Sequence, residues 1–386
     1  MFRYQKTKRF VGILADDCKK LGAQELQELG AKNTELDYRS VYFDAKPADL
    51  YRISYCNRLF SRILAPLHRF DCHHDNILYK RAKQMQWEKI LNPEKTFAIF
   101  ANVGNSNIRH SKFAAQRLKD AICDYFVDQC GVRPSVDTEN PDVWLNLHIN
   151  KNKATINIDL MGQAGHKRGY RTAAVEAPMR ETLAAALVRE SGWDGETPLY
   201  DFFCGSGTIV IEAMMSYCRI PARYNQERFG FENLPDFSPG LWESVKMDAD
   251  NKMRPLEPGL IFASDIDKEA ISAVIENSEA LPFGDRIELT TCKFQDIESI
   301  SDATIISNPP YGVRLETGTD DPGEFMKEIG DFLKQRCTGS TAWLYIGSTK
   351  LVKRVGLRPA CRIPLDNGGL DGRLIRLDMY SGTLDP

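Results

Sequence analysis

The 386-residue sequence lacks several features that would each point to a particular class of protein. It has no run of 18 or more apolar residues, which argues against a membrane span. Its first residues, Met1 to Lys6, have no apolar core of the kind that a secretory signal contains. Its ten cysteines form no Cys-x-x-Cys pair, which favours reduced thiols over a disulfide framework or a zinc site. We therefore expect a cytoplasmic protein without a membrane partner.

Residues 71–75 are the one short segment rich in metal-binding residue types, with two aspartates, a cysteine and two histidines. No further ligands follow at a useful spacing, so the segment is interpreted as a polar loop. No metal is expected.

The charge is distributed unevenly along a chain whose net charge is −3. Residues 58–133 contain 13 Lys+Arg against 7 Asp+Glu, a net +6, so the remainder of the chain is acidic. A basic segment inside an acidic chain is typical of a local nucleic-acid-binding patch. A chance fluctuation of this size is the alternative.

The length predicts two or three domains, and the pattern of elements changes near residue 165. Before it, helices such as 111–130 and a hairpin of strands 144–149 and 153–159 predict an α+β arrangement. After it, strands and helices alternate strictly, which predicts a parallel, doubly wound α/β sheet. Residues 220–258 interrupt the alternation and are expected to form an insertion over one face. The expected elements after residue 165 are helix 176–190, strand 199–203, helix 207–218, strand 260–264, helix 267–280, strand 286–290, strand 304–307, helix 323–336, strand 341–347 and an antiparallel last strand at 374–380.

A glycine-rich turn follows the first of these strands. In a doubly wound sheet, ligands bind beyond the carboxyl ends of the strands. Glycines let the backbone approach a ligand closely at the amino terminus of a helix. The turn is neither a dinucleotide fingerprint nor a phosphate loop, since it has no GxGxxG spacing and no lysine follows. Its candidate cofactor-binding residues are Asp201, Cys204, Gly205, Ser206, Gly207 and Thr208. The alternative for Asp201 is that it only braces the turn.

Two later strands also end in carboxylates. Asp265 stands where a carboxylate can accept both hydroxyls of a ribose, while Asp267 is expected to cap the next helix. Asp296 follows the next strand, where it can accept from the amino group of an adenine, although an ordinary solvated turn carboxylate is the alternative. These positions predict a pocket for an adenosyl group.

The segment Asn308-Pro309-Pro310-Tyr311 follows the apolar strand 304–307. An amine conjugated to an aromatic ring is a poor nucleophile, so a site that methylates it needs acceptors for its protons and a flat surface for the ring. Asn308 offers a side-chain carbonyl and Pro309 a backbone carbonyl with no N–H of its own. Tyr311 offers a ring for stacking. The four residues are the candidate catalytic residues, with Asn308 also adjoining the cofactor.

Taken together, the glycine turn, Asp265, Asp296 and the Asn-Pro-Pro-Tyr segment resemble a Rossmann-like class I S-adenosylmethionine-dependent methyltransferase that methylates amino groups. The resemblance implies S-adenosylmethionine as cofactor. Cys204 has an alternative interpretation as a covalent nucleophile, but it lies in the cofactor turn and no covalent step is needed.

The amino-terminal half resembles an RNA-binding THUMP domain preceded by a ferredoxin-like segment. The resemblance lies in the stretches 58–64, 111–122, 166–171 and 177–184, and extends to the bacterial large-subunit rRNA guanine-N2 methyltransferases. It implies a ferredoxin-like segment at 1–56, a THUMP domain at 57–165 and a methyltransferase domain at 166–386. The candidate RNA contacts are Arg58, Arg62, Arg109, Lys112, Arg117 and Lys119.

The resemblance implies methyl transfer to the N2 amine of a guanine in 23S rRNA. The Asn-Pro-Pro-Tyr segment does not distinguish guanine N2 from adenine N6. A tRNA guanine-N2 methyltransferase, an adenine-N6 methyltransferase and a non-catalytic RNA-binding assembly factor are the alternatives. The target nucleotide and the oligomeric state stay open at this point.

Overall fold

The computed structural model describes residues 1–173, 178–310, 321–366 and 371–380. The chain divides into two compact units. The amino-terminal unit comprises Met1–Leu14, Gly22–Gly165 and Gln226–Asp248, and the carboxy-terminal unit comprises Ala15–Leu21, His166–Asn225 and Ala249–Pro386.

The first 165 residues contribute one seven-stranded sheet and five helices among the described elements. In chain order these are α1 (Arg3–Thr7), β1 (Arg9–Ile13), α2 (Lys19–Glu28), β2 (Lys32–Asp37), β3 (Ser40–Asp44), α3 (Pro47–Cys56), β4 (Arg62–Asp71), α4 (Asp75–Lys83), β5 (Phe97–Gly104), α5 (Ser111–Cys130), β6 (Val143–Asn150) and β7 (Lys153–Asp159). The strand order is β2-β3-β1-β4-β7-β6-β5. All neighbours are antiparallel except β5 and β6, which run parallel. The α+β arrangement is confirmed.

The hairpin of β6 and β7 forms because its turn residues tolerate left-handed backbone. Lys151 and Asn152 have φ values of 50° and 57°, as two-residue hairpin turns require. The helix at 111–130 begins and ends where the sequence predicts, and Gly131 closes it with a φ of 73°. Helix α4 ends at Lys83, and a 3-10 turn follows at Trp87–Lys89.

Residues 226–248 belong to the amino-terminal unit, so the expected insertion over a face of the α/β sheet is wrong for them. Their aromatic side chains pack against α3: the Phe231 ring lies 4.7 Å from the Tyr51 ring, and the Trp242 ring 5.3 Å from the Tyr55 ring. These partners are nearly 200 residues apart in the sequence, and no local pattern indicates the pairing.

The remaining elements alternate as the sequence predicts, apart from α8, which lies within the insertion, and from α11 and β13, which the sequence did not predict. They are α6 (Glu181–Ser191), β8 (Leu199–Asp201), α7 (Thr208–Tyr217), α8 (Pro239–Asp250), β9 (Ile261–Asp265), α9 (Lys268–Glu279), β10 (Glu288–Thr291), β11 (Thr304–Ser307), α10 (Pro322–Arg336), β12 (Thr341–Ile346), α11 (Thr349–Val352), β13 (Cys361–Pro364) and β14 (Arg373–Asp378). Helix α6 begins at Glu181, after the expected start, and residues 176 and 177 lie outside the described residues.

The second sheet has the order β10-β9-β8-β11-β12-β14-β13. The first five strands are parallel, and β14 runs antiparallel to both β12 and β13. The predicted parallel, doubly wound α/β sheet with an antiparallel strand near the end of the chain is therefore confirmed. The direction of winding reverses between β8 and β11, which places a crevice at their carboxyl ends. Among the helices that the structure describes, none is long and apolar enough to cross a membrane.

Candidate active site

Asp201 and Ser307 end the two strands between which the winding of the parallel sheet reverses. The Ser307 hydroxyl donates to Asp201 Oδ1 at 2.5 Å, and the backbone N–H of Phe203 donates to the same oxygen at 3.1 Å. Asp201 Oδ2 is buried and has no hydrogen-bond partner among the described residues. One oxygen of Asp201 thus braces the two strands, while the other is available to a donor from a ligand.

Burial raises the pKa of Asp201 to about 7, although the hydrogen bonds from Ser307 and Phe203 act in the opposite direction. The carboxyl therefore changes its charge close to neutral pH. A titrating group with an unsatisfied oxygen at a strand end is typical of a ligand site.

The glycine turn after β8 depends on backbone that only glycine adopts easily. Gly205 and Gly207 have φ values of 51° and 80°. A Cβ on Gly207 would lie 2.8 Å from Val274 Cγ1, so the turn packs directly against α9. Gly207 immediately precedes α7, whose first N–H groups are available at the carboxyl end of the sheet.

Asp265 connects the end of β9 to the glycine turn. Its Oδ2 accepts from the Gly205 N–H at 2.9 Å and its Oδ1 from the Asp267 N–H at 3.1 Å. Asp267 caps α9 by accepting from the Glu269 N–H at 2.8 Å, which confirms the helix-cap prediction. Ile266, between the two aspartates, is 52% exposed, an apolar side chain left uncovered at the strand end.

Aromatic packing holds the segment after β10 beside the glycine turn. Phe294 is buried, and its ring lies 5.3 Å from the ring of Phe203, which directly precedes the glycine turn. Asp296 ends the short 3-10 turn that begins at Phe294, and it is exposed. Asp296 therefore follows a turn anchored beside the end of β8.

The segment after β11 presents a second unsatisfied buried oxygen. Asn308 Oδ1 is buried without a hydrogen-bond partner among the described residues, and Pro309 is buried beside it. Such an amide oxygen is expected to have a partner in the functional state. Tyr311, the predicted stacking residue, lies outside the described residues.

Arg171 holds the glycine turn from the other side, a contact that the sequence did not indicate. Its Nη1 donates to Ser206 Oγ at 2.9 Å and its Nη2 to Thr208 Oγ1 at 2.8 Å. Its Nε pairs with Glu181 Oε1 at 2.7 Å. The guanidinium therefore links the segment before α6, the first turn of α6 and the glycine turn.

Asn277, buried on α9, fixes the same segment through its side-chain amide. Its Oδ1 accepts from the N–H groups of Thr172 and Ala173 at 2.9 and 3.0 Å, and its Nδ2 donates to the Ser206 carbonyl at 3.1 Å. Residues 171–173 and Asn277 thus form a strap over the glycine turn.

The family model described as "RMKL-like, methyltransferase domain" matches residues 168–376, more than half of the chain. The chain belongs to this methyltransferase family. A THUMP domain model matches residues 74–159, and a model described as the RlmL ferredoxin-like domain matches residues 15–64. The predicted resemblance is therefore confirmed at the level of these three domains.

Similar proteins carry names that agree with this membership. "Putative RNA methyltransferase slr0064" of Synechocystis sp. is 38% identical over 97% of each chain. "Ribosomal RNA large subunit methyltransferase K/L" of Syntrophotalea carbinolica is 33% identical over 95% of this chain and 52% of that protein. The chain thus spans about half the length of the K/L relatives.

A solved structure gives the same fold with cofactor product present. The crystal structure of SMU.472, "a putative methyltransferase complexed with SAH", is 24% identical, has a TM-score of 0.83, and matches over 98% of this chain and 99% of that one. The fold and the family establish S-adenosylmethionine as the cofactor of this methyltransferase. The two unsatisfied oxygens and the glycine turn of the described site suit such a ligand, which carries several hydrogen-bond donors.

Cys204 is buried within the turn, and burial raises the pKa of its thiol well above the ordinary value. A thiol that stays protonated is a weak nucleophile. Its environment thus argues against the covalent alternative.

The six candidate RNA contacts lie in different environments within the amino-terminal unit. Arg109 and Lys112 are exposed, whereas Arg58 is half-buried. Arg62 pairs with the buried Asp159 and lies over the rings of Phe100 and Trp144. Arg117 lies 4.5 Å from the centre of the Tyr79 ring and pairs with Asp75, and Lys119 pairs with Asp120 at 2.8 Å.

Four residues of the site were missed from the sequence: Ser307, Arg171, Asn277 and Phe294. Arg171 lies in the segment 166–171, which carries part of the resemblance but gave no role for this side chain. Ser307 is the last residue of a predicted strand, and its hydroxyl next to the Asn-Pro-Pro segment was the available signal.

Proposed function

We propose that this methyltransferase transfers a methyl group from S-adenosylmethionine to the exocyclic N2 amine of a guanine in 23S rRNA. The observation that carries the proposal is the buried Asn308 Oδ1, which has no hydrogen-bond partner in the part of the chain that the structure describes and is followed by Pro309 at the carboxyl end of β11. The names of the K/L relatives and the THUMP match support an RNA substrate.

On the cofactor side, residues from three strand ends would hold the adenosyl and methionine parts. Asp265 would accept the ribose hydroxyls, and Asp296 the adenine amino group, with the exposed Ile266 against the adenine ring. The turn of residues 204–208, with Asp201 beneath it, would hold the methionine part. When bound, the cofactor supplies a methyl group on a positively charged sulfur.

On the acceptor side, Asn308 Oδ1 and the Pro309 carbonyl would accept the two protons of the target amine. Hydrogen bonds to these two acceptors would orient the amine so that the lone pair of its nitrogen points out of the ring plane. In-line displacement needs that orientation. Tyr311 would stack on a base flipped out of its helix. No strong general base is required, because the methylated amine loses its extra proton to solvent.

For docking of the RNA, the proposal retains Arg58, Arg62, Arg109, Lys112, Arg117 and Lys119 as contacts. Phosphate contacts of this kind make affinity fall with rising salt. Among the six, Arg109 and Lys112 have the most exposed side-chain environments.

Nucleoside mass spectrometry after incubation of the purified protein with unmodified transcripts tests the proposal. Full-length 23S rRNA, a tRNA pool and duplex DNA serve as parallel substrates with isotopically labelled cofactor. We expect labelled N2-methylguanosine from the rRNA. Label only in tRNA would favour the tRNA alternative, and label in N6-methyladenosine would assign the site to adenine.

A further inference from the structure

Three loops of the amino-terminal unit are joined at one end of its sheet. They are residues 71–75, 104–110 and 150–153. The backbone N–H of Asn107 donates to Asn152 Oδ1 at 2.8 Å, and Asn107 Nδ2 donates to the His73 carbonyl at 3.3 Å. The N–H of Asn152 donates to Ser106 Oγ at 3.0 Å. These hydrogen bonds hold the three loops together as one surface.

This surface, here called the loop end, is rich in exposed basic side chains. Its members come from the three loops, from the first residue of β7 and from the first turn of α5. They are His73, Arg109, His110, Lys112, Lys151 and Lys153. Within the part of the chain that the structure describes, none of the six forms an ion pair.

Two carboxylates lie in the same loops and do not neutralise the loop end. Asp75 is already paired with His74 at 2.7 Å and with Arg117 at 3.4 Å. Asp71 is exposed and is the register partner of Lys153 in the β4–β7 ladder, but the two side chains form no ion pair. The four lysines and arginines of the loop end therefore keep most of their charge for a partner.

The loop end also presents an aromatic ring. Phe113, in the first turn of α5 beside Lys112, is 47% exposed. An exposed ring among cations suits a nucleic acid whose bases are unpaired, because a base inside a duplex already stacks on its neighbours. Apolar peptides would match the ring but not the charge around it.

We propose that the loop end binds RNA at an unpaired nucleotide, with Phe113 stacked on the base and the loop-end lysines and Arg109 on the flanking phosphates. The inference rests on the proposed RNA substrate and goes beyond it by assigning Phe113, Lys151 and Lys153. Of the contacts proposed above, it places Arg109 and Lys112 on this surface, whereas Arg62, Arg117 and Lys119 form ion pairs within the unit.

Fluorescence anisotropy with the full-length protein tests the surface. The probes are a short labelled single-stranded RNA and a blunt duplex of the same sequence, titrated between about 50 and 200 mM salt. We expect tighter binding of the single strand. The Lys112→Glu/Lys151→Glu variant should bind it at least about tenfold more weakly at low salt, with a salt slope shallower by about 1.4 for two lost phosphate contacts.

The Phe113→Ala variant should weaken single-strand binding about tenfold and leave the salt slope unchanged, since stacking releases no counterions. The matched control is Lys89→Glu/Arg133→Glu, which makes the same charge change at two exposed positions outside the loop end. Arg133 follows the carboxyl end of α5, about 30 Å from its first turn. Thermal melting checks that each variant is folded.

Equal losses of RNA affinity in the loop-end and control variants would show that the loop end is not the RNA-binding surface. Duplex binding as tight as single-strand binding, with no effect of Phe113→Ala, would overturn the unpaired-nucleotide assignment. These outcomes are independent of the target base, because anisotropy measures binding without methyl transfer. Failure of the guanine-N2 assignment would instead show in the nucleoside analysis with the anisotropy results intact.

Discussion

The Ser307 hydroxyl joins Asp201 across the two strands at which the parallel sheet reverses its winding, at 2.5 Å. This hydrogen bond fixes the end of the strand that carries the glycine turn relative to the strand that carries Asn308. It leaves one Asp201 oxygen and one Asn308 oxygen buried without partners among the described residues. The proposed function assigns the methyl donor and the methyl acceptor to these adjacent strand ends.

Replacing Asn308 tests the acceptor side of the site. Asn308→Ala should bind S-adenosylhomocysteine nearly as tightly as the wild type, while the methylation rate falls on the order of 10²–10³-fold, the usual effect of losing one positioning group. Isothermal titration and a tritium-transfer assay measure the two quantities. Asn251→Ala, at an exposed position, is the control. A wild-type rate for Asn308→Ala would show that Asn308 is not the acceptor.

Asp201 should make stability depend on pH in a definite direction. Burial raises its pKa from 3.8 to about 7, so the folded protein keeps the proton at pH values where the unfolded chain has released it. The stabilisation is complete below about pH 3.8 and is lost as pH rises towards 7. Asp201→Asn keeps an acceptor for Ser307 and does not titrate.

Urea midpoints of the wild type and Asp201→Asn, compared between pH 5 and pH 8, measure this contribution. The stability of the wild type relative to the variant should decline across that interval, because it brackets the Asp201 pKa of about 7. A constant difference at all pH values would mean that the Asp201 carboxyl is ionised throughout.

Arg171 should act on cofactor binding through the glycine turn. Arg171→Lys keeps the charge but loses the planar fork that reaches Ser206, Thr208 and Glu181 together. We expect S-adenosylhomocysteine affinity to fall about tenfold, the effect of losing one hydrogen bond to a charged group.

The control for Arg171→Lys is Arg168→Lys, which disturbs the buried pair of Arg168 with Glu212. Breaking this buried pair is expected to lower the stability of the fold. If both variants lose the same cofactor affinity, Arg171 supports the fold in general and not the turn.

Cys204 should be dispensable for the chemistry. Its thiol is buried and protonated, so Cys204→Ala should retain most of the methylation rate. Removal of a true covalent nucleophile lowers rates by several orders of magnitude. A loss of that size, with cofactor affinity retained, would restore the covalent alternative.

Local sequence patterns predicted the elements whose apolar spacing and end signals agree. Helix α5 is an example, since its apolar positions repeat along 20 residues and Gly131 ends it. Strand β2 was missed because its residues are almost all exposed and charged or polar, so no alternation marks it. Strand β13 was missed because it is a four-residue edge strand that ends in proline.

The residues of the site also divide into those that a local pattern predicts and those that only the fold brings together. Asn308 and Asp265 were predicted because each follows a recognisable strand in a short motif. Arg171 was not, because its partners Ser206 and Thr208 are more than 30 residues away and only the fold brings them together. Contacts between distant segments leave no periodic signal in a single sequence.

Site-resolved mass spectrometry of 23S rRNA tests the central claim most directly. The rRNA would come from a strain that lacks this gene, and from the same strain carrying the wild type or Asn308→Ala. We predict that one N2-methylguanosine disappears in the deletion strain, returns with the wild type and stays absent with Asn308→Ala. An unchanged set of N2-methylguanosines in the deletion strain would contradict the account.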